Sequence, residues 1–110
     1  MAYNEKLVNR LDSVIKRKKG FVKMKMFGGV GFLHNGNMCF GVHTDYLILR
    51  LGKEQADVAL KQKNTKVFDI TGRPMSGWVM VNAEGTKSEG QLLKWTDQAI
   101  KYVKTLAPKL

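Results

Sequence analysis

The chain has 110 residues, 44% of them hydrophobic and 25% charged, which suits one folded domain over residues 1–110 and leaves no room for a second core. Cys39 is the only cysteine, so an intramolecular disulfide is excluded and a reducing compartment is expected. No stretch reads as a signal peptide or a membrane span, which predicts a soluble, cytoplasmic protein without membrane attachment.

Nineteen Lys and Arg against nine Asp and Glu give a net charge of +10. The excess is uneven. Residues 1–26 carry +6 and residues 86–110 carry +3, whereas residues 27–51 sum to zero. Positive charge therefore gathers on predicted helices and leaves the predicted sheet neutral. Such patches attract nucleic acid, anionic lipid or acidic partners, and they also occur as ordinary solvated helix faces.

In chain order, residues 3–19 place Leu7, Val8, Leu11, Val14 and Ile15 on one helical stripe. Asn4 is the expected cap. Lys16, Arg17, Lys18 and Lys19 are expected to meet the negative end of the helix dipole before Gly20 ends it. Phe21 to Lys25 alternates Val22, Met24 and Met26 with Lys23 and Lys25, a period-2 strand with one solvated edge. Gly28-Gly29 interrupts it and predicts a bulge or sharp bend. Val30 to Leu33 resumes the strand, and Asn35-Gly36 is a strong hairpin signal. Met38 to His43 is the return strand. Thr44-Asp45 is a second turn, followed by a strand over Tyr46 to Leu51.

Gly52 ends that strand, and Lys53 to Gln62 reads as a short helix with Ala56, Ala59 and Leu60 inward. Strands are expected over Val67 to Ile70 and Trp78 to Val81, with a loop over 71–77 between them. Ser88-Glu89-Gly90-Gln91 is a capping box. It opens a last helix with Leu92, Leu93, Thr96, Ala99, Ile100, Val103 and Leu106 on one face, and Pro108 lies beyond its end. The fold class is α+β, two-layer, with helices on an antiparallel sheet of about five strands in the order α-β-β-β-α-β-β-α.

The strands are apolar on both faces. Met38, Phe40 and Val42 oppose Cys39, Gly41 and His43. Leu47, Leu49 and Leu51 oppose Tyr46, Ile48 and Arg50, and Trp78 and Met80 oppose Val79 and Val81. Three helices can hardly cover both sides, so part of the second face is expected to meet another chain, most simply in a homodimer. Ile48 or Val79, whichever faces outward, is the expected contact.

Catalytic chemistry finds little footing. Gly28-Gly29-Val30-Gly31 lacks the later glycine of a dinucleotide fingerprint and the Gly-Lys-Ser/Thr of a phosphate loop, and strand follows it where a helix is needed. Cys39 and His43 stand i, i+4 on a strand, roughly 13 Å apart, too far to share one metal ion, even with His34 nearby. No nucleophile elbow occurs, and the acids show no close pairing beyond Glu54 and Asp57, which a helix start explains. No catalytic, cofactor-binding or metal-binding residues are expected, and the chain reads as a non-enzyme. Arg50, Asp69 and Arg73 are the charged residues near predicted sheet ends, as an ion pair or as an anion or partner contact. Lys16, Arg17, Lys18 and Lys19 are the candidate nucleic-acid contacts, nonspecific and salt-sensitive.

Met26-Phe27-Gly28-Gly29-Val30-Gly31-Phe32, Asn35-Gly36-Asn37-Met38, Gly41-Val42-His43 and Tyr46-Leu47-Ile48-Leu49-Arg50 resemble the N-terminal domain of the TfoX/Sxy family. The stretch from Phe68 to Val79, FDITGRPMSGWV, resembles the second hallmark of its stand-alone bacterial members. The resemblance implies a two-layer α+β domain similar to secretion-chaperone-like folds and often dimeric. Full-length members regulate DNA-uptake competence genes together with a transcription activator and carry a further C-terminal helical domain. A chain of this length is expected to be the N-terminal domain standing alone. The implied role is a non-enzymatic regulatory or protein-interaction domain with a regulatory protein as partner. The alternative is a basic nucleic-acid-binding module acting through lysine-rich helix faces.

Overall fold

The structure, a computed structural model, describes residues 3–26, 28–70 and 72–109. Phe27 and Thr71, which belong to the two family-like stretches, lie outside the described residues. The order is α1 (Glu5–Ile15), β1 (Phe21–Met26), β2 (Gly29–His34), β3 (Asn37–His43), β4 (Tyr46–Arg50), α2 (Lys53–Ala59), β5 (Thr65–Val67), β6 (Trp78–Val81), a 3-10 turn (Ala83–Thr86) and α3 (Glu89–Val103). The strands form one sheet in the order β1-β2-β3-β4-β6-β5, and every neighbouring pair is antiparallel.

This is the expected α+β architecture, with one subdivision. The bend at Gly28-Gly29 is a full reversal, so the first predicted strand is two strands, β1 and β2. Gly28 sits at φ +75°, a conformation that a side chain disfavours. The next reversal uses Asn35 and Gly36 at φ +49° and +86°, as a two-residue hairpin turn requires.

Helix ends follow their caps. The Asn4 side chain accepts from the Leu7 amide at 3.1 Å, and the Asn4 amide donates to the Thr44 carbonyl at 2.8 Å, pinning the N-terminal segment to the β3–β4 turn. The helix stops at Ile15, where the apolar stripe ends and short of the expected span to residue 19. The basic run therefore follows the last turn and does not lie within it. At α3 the Ser88 hydroxyl accepts from the Gln91 amide at 3.1 Å, and the Gln91 side chain accepts from the Ser88 amide at 2.8 Å. The capping box is complete.

The ladder register separates the two faces. One row runs Lys23, Phe32, Phe40, Leu49, Val79, Val67, and the next runs Met24, Gly31, Gly41, Ile48, Met80, Lys66. The first row and its alternates face the helices. Leu7, Val8 and Leu11 of α1, Ala56 and Ala59 of α2, and Leu92, Trp95, Ala99, Ile100 and Val103 of α3 close one core with them. Leu93, expected inward, is exposed. Trp95 fills the stripe instead and donates its indole N–H to the Gly85 carbonyl at 3.2 Å.

Strict alternation fails once, in β3. Phe32 pairs with Phe40 while Leu33 pairs with Met38, so Cys39 is the extra residue of a bulge. The bulge turns Cys39 into the helix-side core beside Phe40 and Met38 onto the opposite face, where it packs with Ile48, Phe68 and Met80. This corrects the simple parity reading of the strand.

The second face is partly covered by the chain itself. Strand β5 ends at Val67, and the segment expected to continue it as far as Ile70 folds back over the sheet. Phe68, Ile70 and Met75 pack against Ile48 and Met80, held by the Met75 amide donating to the Phe68 carbonyl at 3.0 Å. Ile48 and Val79 are therefore both fully buried. Neither faces outward as expected, since helices cover one and the 68–77 loop covers the other.

Candidate functional site

The part of the second face that the loop does not reach lies on β1, β2 and the start of β3. Because Lys23 lies in the helix-side row, Val22, Met24 and Met26 project from the other side. Val22 is 63% exposed and Met24 47%. The lysines meanwhile lie toward α1, where Lys23 pairs with Asp12 at 3.0 Å. The usual sense of an amphipathic edge strand is thus inverted, with its apolar residues in solvent.

Glycines make the floor of this surface. A Cβ on Gly31 would fall 2.2 Å from the Met26 sulfur, and one on Gly41 would fall 3.0 Å from the Met38 methyl and 2.5 Å from the Val30 carbonyl oxygen. Met26 and Met38 lie flat across space that side chains at 31 and 41 would occupy. Met75 and Met80 join them from β6 and the loop before it. Five of the chain's six methionines therefore serve this one face; Met1 lies outside the described residues. Unbranched, polarizable thioethers repack easily against different partners.

Next to this floor is a groove of about 410 Å³ lined by Met26, Leu33, Met38, Phe68, Met75 and Trp78 together with Arg50, Lys109, Gly36 and Asn37. The Arg50 guanidinium lies 5.5 Å from the centre of the Trp78 ring, which in turn packs on Phe68 at 5.3 Å. Lys66 stands 4.7 Å over the Tyr46 ring on the same face. Lys109 is brought there by the C-terminal segment, whose Lys109 amide donates to the Asn35 carbonyl at 2.7 Å. The Asn37 side chain donates to the Ala107 carbonyl at 2.8 Å. A second concavity, about 340 Å³, separates α1 from the free edge of β1.

Of the residues singled out from sequence, Arg50 alone enters the groove. Arg73 and Asp69 are exposed in the 68–77 loop and do not line it. The ion pairs among the described residues are Arg10–Glu89, Lys23–Asp12, Lys53–Asp57 and Lys87–Glu84, so none joins Asp69 to either arginine. Lys16, Arg17, Lys18 and Lys19 are exposed in the turn after α1. Cys39 is fully buried, and its thiol is pushed up to about 12 by burial, with the positive charge of Arg50 opposing the shift. Such a thiol is a packing group. His34 packs its ring against Phe21 at 5.0 Å.

Sequence reasoning missed the methionine cluster, Lys109 and Lys66. A signal for the cluster was present in the alternation of Val22, Met24 and Met26 beside a glycine-rich partner strand. Lys109 reaches the groove only through the tertiary fold.

No curated protein matches the chain. The family model described as the TfoX N-terminal domain matches residues 14–103. That span takes in all six strands with α2 and α3, and with them the glycine floor, the methionines around it and the loop that covers Ile48. By that match over most of its length, the chain belongs to the TfoX N-terminal domain family.

Proposed function

We propose that this chain is a non-enzymatic regulatory interaction domain whose open sheet face docks another protein chain, a regulatory protein or a second copy of itself. The observation that carries the reading is the inverted β1 strand, which places Val22 and Met24 in solvent beside the glycine floor that Met26 and Met38 cross. Exposed contiguous apolar surface on a soluble domain marks a binding face, and methionine-rich surfaces suit docking of varied partners. The 68–77 loop seals Ile48 and Met80, so the binding surface is confined to β1, β2 and the groove beside Trp78.

The test pairs co-purification with a mass measurement. Tagged wild type and Met24→Lys are recovered from the same cells, and each is also run through multi-angle light scattering at micromolar concentration. The reading expects a defined partner or a dimer mass with wild type, lost in Met24→Lys while the circular dichroism spectrum is unchanged. A monomer that retains no protein, or one whose partner survives Met24→Lys, contradicts it.

A further inference from the structure

Resting on that interaction reading, we propose that the groove beside Trp78 binds a peptide segment of a different protein that combines apolar anchors with carboxylates. Its lining supplies both halves of this chemistry. Met26, Met38, Phe68 and Met75 offer an apolar, adaptable wall, and Arg50 and Lys109 line the same groove. Among the described residues, no Asp or Glu lines the groove. Lys66, over Tyr46, extends the positive charge along the same face. Asp69, the acidic residue of the neighbouring loop, is exposed and outside the lining.

Arg50 is held for such a role. Its guanidinium lies over the Trp78 ring, and no ion pair among the described residues occupies it. A planar guanidinium can stack on an aromatic face and still present N–H groups at its edge to a carboxylate. Lys109 adds a point charge from a segment anchored to the β2–β3 turn. A second copy of this chain fits poorly. A two-fold contact through this face would bring the same cations together, on molecules that each carry +10, and like charges at an interface are costly.

The test selects binders from a displayed library of random dodecapeptides against the full chain. The expected result is enrichment of peptides with apolar anchors and a surplus of Asp and Glu. Their affinity falls with added salt and by about tenfold in the Arg50→Gln/Lys109→Gln variant, while circular dichroism shows that fold retained. Met24→Lys separates the two levels. Peptides that lose binding in Met24→Lys but carry no acidic surplus and ignore Arg50→Gln/Lys109→Gln overturn the charge inference and leave the interaction reading standing. Peptides indifferent to both variants, or no enrichment at all, overturn both. A dimer in light scattering that Met24→Lys dissociates places a second copy on the face and also overturns the inference.

Discussion

At the scale of single residues, the glycines under the open face leave little room for a side chain. Gly31 and Gly41 pair with each other across β2 and β3, yet their surroundings differ in what can yield. A methyl at Gly31 meets the flexible end of Met26, whereas a methyl at Gly41 meets the Val30 carbonyl oxygen at 2.5 Å, and that carbonyl belongs to the sheet. We expect Gly41→Ala to lower stability by about 2–3 kcal/mol and Gly31→Ala by about 1 kcal/mol or less, read from urea unfolding. Equal losses would contradict the difference in packing.

Cys39 gives a pH-dependent signature. Its folded thiol is raised from the ordinary 9.0 to about 12, so below pH 9.0 both folded and unfolded thiols keep their protons and the full contribution is present. As pH rises through the interval between those values, the unfolded chain ionises first and the contribution is lost. The stability advantage of wild type over Cys39→Ala should therefore shrink as pH rises from 9.0 toward about 12. A constant advantage would show that the thiol ionises equally in both states. Cys39 also shows why parity alone misassigns β3. Nothing in Met38-Cys39-Phe40 announces a bulge, because all three residues are apolar and either placement satisfies them.

At the scale of elements, local chemistry was most legible where a backbone group demanded a specific side chain. Asn4, Asn35-Gly36 and Ser88…Gln91 were readable because an orphan amide or a positive φ needs those residues. Ser88→Ala should cost about 1 kcal/mol through loss of the α3 cap, measured by thermal or urea unfolding, and no change would mean that the box contributes nothing. The sequence predicts a strand over Val67 to Ile70 followed by a loop, and it does not show that the segment with Phe68, Ile70 and Met75 returns to cover the sheet. Its role depends on Phe68 meeting Ile48 and Met80, a contact between residues distant in the chain. Phe68→Ala should lower stability by about 3 kcal/mol and raise binding of an apolar dye. A stability loss without new dye binding would mean that the sheet beneath stays covered.

At the scale of the whole molecule, helices cover one face of the sheet, one loop covers part of the other, and the remainder carries methionines over glycines. The two-sided apolarity of the strands was legible in the sequence. Which part is closed by the chain itself was not, because only the packing of Phe68, Ile70 and Met75 decides between Ile48, sealed, and Met24, open. The positive charge was legible as a total, but Arg50 and Lys109 converge only in the fold.

The claim that the open face is the docking surface is tested most directly by site-specific photo-crosslinking in cells. A photoreactive side chain replaces Met24 in one protein, Val58 in a second and Leu93 in a third. These positions are similarly exposed, at 47%, 53% and 40%, but Val58 lies on α2 and Leu93 on α3. The account predicts a discrete adduct from position 24 and none from positions 58 and 93. Adducts of equal yield from the helix positions, or none from position 24, would contradict it.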